Sequence, residues 1–300
     1  MCIIPVNKRP ISGNGTKGML FKHHRKFKRS LTKRTILRPN LFINPSDHMG
    51  LDVLIDGCWD QFLTDSIRAV SANDRNDVFI DIGANIGLIS TQVEDTFGKI
   101  IAVEPNPIAF GVLQANALTH ISESKLSLRN CGLGNEMTSA QLEIPAMNLG
   151  GAFVRGPENR LSEEELRRKE GGKMDITKTF DISIVSAHDF FCSVDSEITD
   201  DQSRVVIKVD VEGMEEPIIR ALLDSKLWSS REVICFFETW SSELKEEILS
   251  QLKKSALIQP KNEMQWRHAS EISNLETSTE LCIWSPKLPD QALVLVLASM

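Results

Sequence analysis

No pair of cysteines in this chain is close enough in sequence to suggest a bridge or a metal clip. Cys2, Cys58, Cys131, Cys192, Cys235 and Cys282 are far apart, with no C-x-x-C and no paired-histidine spacing. That excludes a zinc site and a disulfide framework. Cys131 and Cys235 lie in apolar, strand-like runs, where a free thiol behaves as a small hydrophobe, so a reducing, cytoplasmic setting is the simplest expectation. No apolar run approaches the roughly 18 residues that cross a bilayer; the tail 292–298 (ALVLVLA) suits a terminal strand or a partner contact. Tyrosine is missing altogether, and composition offers no physical reason for it. Acidic residues are missing from positions 1–46, which hold 11 Lys and Arg, and the remainder carries 23 basic against 41 acidic residues. A body of net −18 lacks the clustered positive charge that phosphate backbones require. Nucleic acid is therefore a poor partner, and a neutral or cationic substrate suits the charge better.

What is present describes a folded α/β chain. Apolar content of 41% with 25% charged residues is that of a globular protein, and 300 residues hold one domain with additions or two small ones. Residues 1–46 read as an appendage, with Gly13, Gly15, Gly18 and the basic run 22–38. Leu20, Phe27 and Leu31 share a helical face, so the arm could rest on an anionic membrane surface. It could equally be a transit peptide or a disordered, solubilising tail. Residues 47–300 are expected to form the folded body, interrupted by an insertion at about 134–203.

The body is organised around 78–90, VFIDIGANIGLIS. Val78, Phe79 and Ile80 suit a strand buried on both faces, and Gly83 and Gly87 allow a sharp turn with close backbone approach. In the nicotinamide fingerprint G-x-G-x-x-G, the first glycine falls where this chain has Asp81. A carboxylate there repels a pyrophosphate but accepts hydrogen bonds or pairs with a cation, so a ligand with an amino-acid end, S-adenosylmethionine, fits better than NAD. A second strand at 99–103 ends in Glu104, 21 positions after Gly83, where an acid ordinarily accepts a ribose diol. Asp81, Gly83, Asn85, Gly87 and Glu104 are the expected cofactor contacts, with Asn130, in the loop after the third strand, as an adenine-side contact.

DIGANIG at 81–87, VEPNP at 103–107 and KVDVEGMEEPII at 208–219 resemble the signatures of the FkbM-family methyltransferases, over roughly residues 77–240. NLGGAF at 148–153 is similar to a stretch in members associated with surface polysaccharides. The resemblance implies a Rossmann-like, doubly wound sheet, mostly parallel with a late antiparallel strand. It also implies S-adenosylmethionine as cofactor and a hydroxyl of a sugar or other small molecule as acceptor.

The order of elements agrees. A helix is expected over 51–76, crossover helices at 86–97 and 109–118, and strands at 126–131, 205–209, 233–237 and 280–285. Short strands at 140–144 and 180–185 flank a charged piece at 161–173, and a helix follows at 241–254. Asp210 and Glu212, at the end of the fourth strand, are the expected base and its partner, sharing a face if the strand continues that far. Lys208 could tune Asp210 or simply stay solvated. His188, beside Asp189, is a third candidate base. No metal is expected, although Asp210, Glu212 and Glu238 together could hold a divalent cation. A nicotinamide-dependent oxidoreductase and a non-catalytic binder on the same fold remain as alternatives.

Overall fold

The computed structural model describes residues 41–44, 48–71, 76–145, 148, 150–156, 159, 176–239, 255–259, 265–268 and 279–288. The basic arm up to residue 40, the charged piece at 161–173, the helix expected at 241–254 and the apolar tail lie outside the described residues. Two helices, α1 (His48–Asp56) and α2 (Gln61–Val70), precede β1 (Val78–Ile82). Then come α3 (Leu88–Gln92), β2 (Lys99–Val103), α4 (Pro107–His120) and β3 (Leu126–Arg129). Four strands follow, β4 (Gly132–Gly134), β5 (Thr138–Pro145), β6 (Phe153–Arg155) and β7 (Ile176–Ser186). The described chain continues with α5 (Ala187–Glu197), β8 (Val205–Val209), α6 (Glu215–Leu223), α7 (Lys226–Ser230) and β9 (Val233–Thr239). It ends with β10 (Ala256–Gln259), β11 (Arg267–His268) and β12 (Thr279–Trp284).

The main sheet has the order β11-β10-β12-β9-β8-β1-β2-β3. β1 pairs in parallel with both β2 and β8, and β9 continues in parallel, whereas β12 runs antiparallel to β9. The fold is thus Rossmann-like and doubly wound, with a late antiparallel strand. Every residue of β1 and β8 is buried, because each face of the sheet feeds a separate core. Val78, Ile80, Ile82, Val205, Ile207 and Val209 pack under α5 and α6. Phe79, Ile100, Ala102, Val206 and Phe236 pack under α2 and α4 on the other side. A run without polar alternation is what such two-sided burial selects. The chain order turns outward in opposite directions from β1 and β8, so the crevice between their carboxyl ends is where a ligand is expected.

Two helical expectations change. In place of the single helix expected over 51–76, the described residues form α1 and α2, broken where Gly57 and Asp60 take left-handed φ values of 79° and 37°. The first crossover helix is only Leu88–Gln92, not 86–97. Gly87, at φ 81°, delays its start, and beyond Val93 the chain turns so that Phe97 packs on Phe79, ring centroids 5.3 Å apart. By contrast α4 is two residues longer than expected at each end. Pro107 occupies its first turn, and Asn106 Oδ1 accepts from the Ile108 and Ala109 N–H groups, a cap worth about 1 kcal/mol.

Residues 41–44 lie against this body. Asn116, fully buried on α4, accepts at Oδ1 from the Phe42 N–H (2.6 Å) and donates from Nδ2 to the Phe42 carbonyl (3.0 Å) and the Ile86 carbonyl (2.7 Å). Leu41 and Ile43 pack beside Val53, Ile86 and Ala109. Asn116→Ala strands all three backbone groups and is expected to cost about 2–3 kcal/mol. A thermal melt should show a midpoint several degrees lower.

Candidate functional site

A cavity of about 590 Å³ opens at the carboxyl ends of β1, β2 and β8. Its floor is the turn after β1. Gly83 sits at φ 77° and Asn85 at φ 50°, and the Gly83 and Ala84 N–H groups both donate to the Val103 carbonyl at 3.0 Å. That pulls the turn onto the end of β2, and a Cβ at Gly83 would lie only 1.9 Å from the Asp210 carbonyl oxygen. Asp210 N in turn donates to the Ile82 carbonyl at 3.0 Å. Two strand ends and a turn are thereby locked together through backbone alone.

Glu104, at the tip of β2, is buried beside this floor. Its two oxygens accept from the Asn85 N–H and the Asn106 N–H, each at 2.8 Å. Burial is the dominant influence and raises its carboxyl; the two N–H donors and Lys208 offset this in part, Asp81 adds to it, and the group stands at about 7. With an unfolded value near 4.5, the group's contribution to stability is complete below that value and is lost as pH rises through 7. The loss is on the order of 3 kcal/mol. The apo protein should therefore melt lower at pH 8.5 than at pH 5.5, and Glu104→Gln should flatten that dependence.

Of the other expected residues, Asn85, Asp210 and Glu212 also line the cavity. Asn85 Nδ2 faces Met49 Sδ of α1 at 3.1 Å. Its Oδ1 is buried with no hydrogen-bond partner among the described residues, an acceptor suited to a ligand donor. Asp210 and Glu212 do not share a strand face, because β8 stops at Val209 and a turn through Gly213, at φ 84°, follows. Nor do they cap α6, whose N-cap position is Met214. Asn159 Nδ2 holds the Glu212 carbonyl at 2.8 Å and the Val154 carbonyl at 2.9 Å, drawing the β6 segment over the turn.

Four expected residues do not reach the cavity wall. Asp81 is sealed beneath the turn, paired to Lys208 Nζ at 3.0 Å and accepting from Ser90 Oγ at 2.7 Å. Gly87 packs against Leu113. Asn130 donates to the Glu104 carbonyl at 2.8 Å, bracing the loop rather than presenting to the cavity. His188 is misplaced for a base. The buried stripe of α5 is Ala187, Phe190, Phe191 and Val194, so His188 projects from an exposed face toward Asp189 at 3.6 Å and Cys192 at 3.9 Å.

Lys208 is buried, not solvated. Trp59, in the turn before α2, both packs on the core and lines the cavity. Pattern reading missed Met49, Val154 and Met214 on the wall; isolated apolar residues carry no signal of facing a cavity. Among the described residues, no group of three His, Cys, Asp or Glu side chains could hold a metal ion. No helix there is long and apolar enough to cross a membrane.

Residues 81–255, more than half of the chain, match the methyltransferase FkbM domain. The chain belongs to the FkbM methyltransferase family. "Methyltransferase sdnD" of Sordaria araneosa is 26% identical over 220 residues, covering 69% of this chain and 83% of that protein. "Methyltransferase 1" of Beauveria bassiana (strain ARSEF 2860) is 24% identical over 198 residues, covering 63% and 74%. Among solved structures, a precorrin 8w decarboxylase from Methanobacterium thermoautotrophicum is similar at 14% identity and a TM-score of 0.39, covering 82% of this chain and 96% of its own. In this FkbM methyltransferase the three motif segments converge on one cavity: the glycine turn as floor, VEPNP as one wall and DVEG as the rim.

Proposed function

We propose that this methyltransferase uses S-adenosylmethionine and transfers its methyl to a hydroxyl of a small molecule or glycan. The observation that carries the reading is a pair of carboxylates in unlike settings on one cavity. Glu104 is buried and held by backbone N–H groups, whereas Asp210 is open to solvent at the rim. The residues present fit the cofactor: each Glu104 oxygen retains a lone pair for a ribose hydroxyl, Asn85 Oδ1 lacks a donor, and the volume falls within the range of small-molecule sites. When bound, the cofactor supplies an electrophilic methyl on a sulfonium.

The chain's own part is to orient and to take a proton. Glu104 and Asn85 hold the nucleoside, and Asp210 accepts the proton of the acceptor hydroxyl as its oxygen becomes the nucleophile. Trp59, Phe153, Val154 and Met214 give the acceptor's carbon skeleton an apolar wall in the same cavity. Calorimetric titration with S-adenosylmethionine and with NAD tests the cofactor. Tight binding of the first is expected, strengthening from pH 6 to pH 8 because diol donors favour the ionised Glu104. Preference for NAD would sink the reading. Transfer of labelled methyl to a panel of saccharides, lipids and hydroxylated small molecules tests the acceptor.

A further inference from the structure

Lys208 is the buried charge that the catalytic reading leaves unused. Its side chain is 5% exposed, and Asp81, its nearest carboxylate, is fully buried. Burial on its own would lower the ammonium's pKa, but the charges of Asp81 and Asp210 outweigh it and hold the group well above the ordinary lysine range. An ammonium has three donors. Here they face Asp81 Oδ1 at 3.0 Å, the Gly83 carbonyl at 2.9 Å and Asp210 Oδ2 at 3.5 Å. Neutralising Asp81 requires only the first of these. The second fixes a neutral carbonyl in the middle of the left-handed turn that floors the cavity, and the third reaches the exit of β8. Asp81 in turn ties down Ser90 of α3.

We propose that Lys208 is a positioning residue of the cofactor cradle: it sets the Gly83 peptide, and Asp81 serves as its anchor. The proposal rests on the cavity being an S-adenosylmethionine site. Lys208 lines the cavity and Asp81 does not, so the carboxylate matters to the ligand as an anchor for the ammonium. The nucleoside end of the cofactor depends instead on Glu104, at the tip of β2, and on Asn85, whose N–H donates to Glu104. Loss of Lys208 should consequently be felt unequally by the whole cofactor and by its nucleoside fragment.

Lys208→Met alone strands a buried carboxylate and strongly destabilises the fold. The informative comparison is between Asp81→Asn and Asp81→Asn/Lys208→Met, which removes both charges together. Each variant and the wild type is titrated calorimetrically with S-adenosylmethionine and with adenosine, and its thermal melt is recorded. Relative to Asp81→Asn, the double variant should lose about tenfold or more in affinity for S-adenosylmethionine and less than about threefold for adenosine. Equal affinity for S-adenosylmethionine in the two variants would overturn the proposal, leaving Lys208 as a counter-ion only. A parallel fall for both ligands would also overturn it, since that is the mark of a generally loosened cavity. A wild-type protein that binds neither ligand would defeat the cofactor reading itself.

Discussion

Gly83→Ala is expected to abolish cofactor binding and to destabilise the fold together. The new methyl carbon would lie 1.9 Å from the Asp210 carbonyl oxygen and 3.2 Å from a Val211 methyl, at a φ of 77°. The first of these contacts is with backbone, so no rotamer change relieves it. The left-handed conformation alone costs a residue with a Cβ about 1–2 kcal/mol. Prying the turn from the exit of β8 also breaks the bond between the Asp210 N–H and the Ile82 carbonyl and overpacks the crevice, for about 1–3 kcal/mol more. The site suffers most, because the Glu104 pairing with the Asn85 N–H and the Lys208 contact both depend on this turn. Affinity for S-adenosylmethionine should fall by at least about a hundredfold, and the melting midpoint should drop by several degrees. Gly111→Ala is the control. A Cβ there meets nothing within 4 Å, and mid-helix in α4 it should stabilise by about 0.5–1 kcal/mol. Wild-type affinity in Gly83→Ala would mean that the turn is not the floor of the ligand site.

Asp210→Asn should separate binding from turnover. The side chain is 59% exposed at the rim, and its backbone N–H, which holds the strand exit, is untouched by the change. Lys208 keeps Asp81 and the Gly83 carbonyl, so affinity for S-adenosylmethionine should change by less than about threefold. An amide cannot take a proton from a hydroxyl. Labelled-methyl transfer to whichever panel compound the wild type accepts should therefore fall by about 10²–10⁴-fold, the usual contribution of a positioned base. Unchanged transfer would remove Asp210 from the mechanism while leaving the cofactor site intact.

The strands that carry the motifs were legible because their signal is local. VFIDI and VVIKV are short apolar runs bounded by turn residues, and both are strands buried on two faces. Glu104 was legible for the same reason, as an acid directly after such a run. Lys208 was not. Within VVIKV it looks like an outward-facing position, and its partner Asp81 is 127 residues away. Asp81 misled in the complementary way: the fingerprint comparison placed its carboxylate beside a ligand, whereas a cation from the neighbouring strand occupies it. His188 sits in a sequence rich in aromatic residues, yet one helical turn puts Phe190 and Phe191 inward and the imidazole outward. The small sheet escaped notice as a unit because its pairings, such as Leu142 with Phe180, join residues far apart in sequence.

That small sheet enters and leaves through adjacent points. β4 lies alongside β7 in parallel, Gly132 opposite Ile184 and Gly134 opposite Ser186, so a detour of some fifty residues begins and ends at one double-stranded hinge. Its interior rests on its own apolar cluster of Leu142, Ile144, Ile182 and Ile184, separate from the two cores of the main sheet. Leu142, Phe153, Val154 and Ile184 of this cassette nevertheless line the cavity, so a unit with its own interior supplies part of the wall of a site floored by the main sheet.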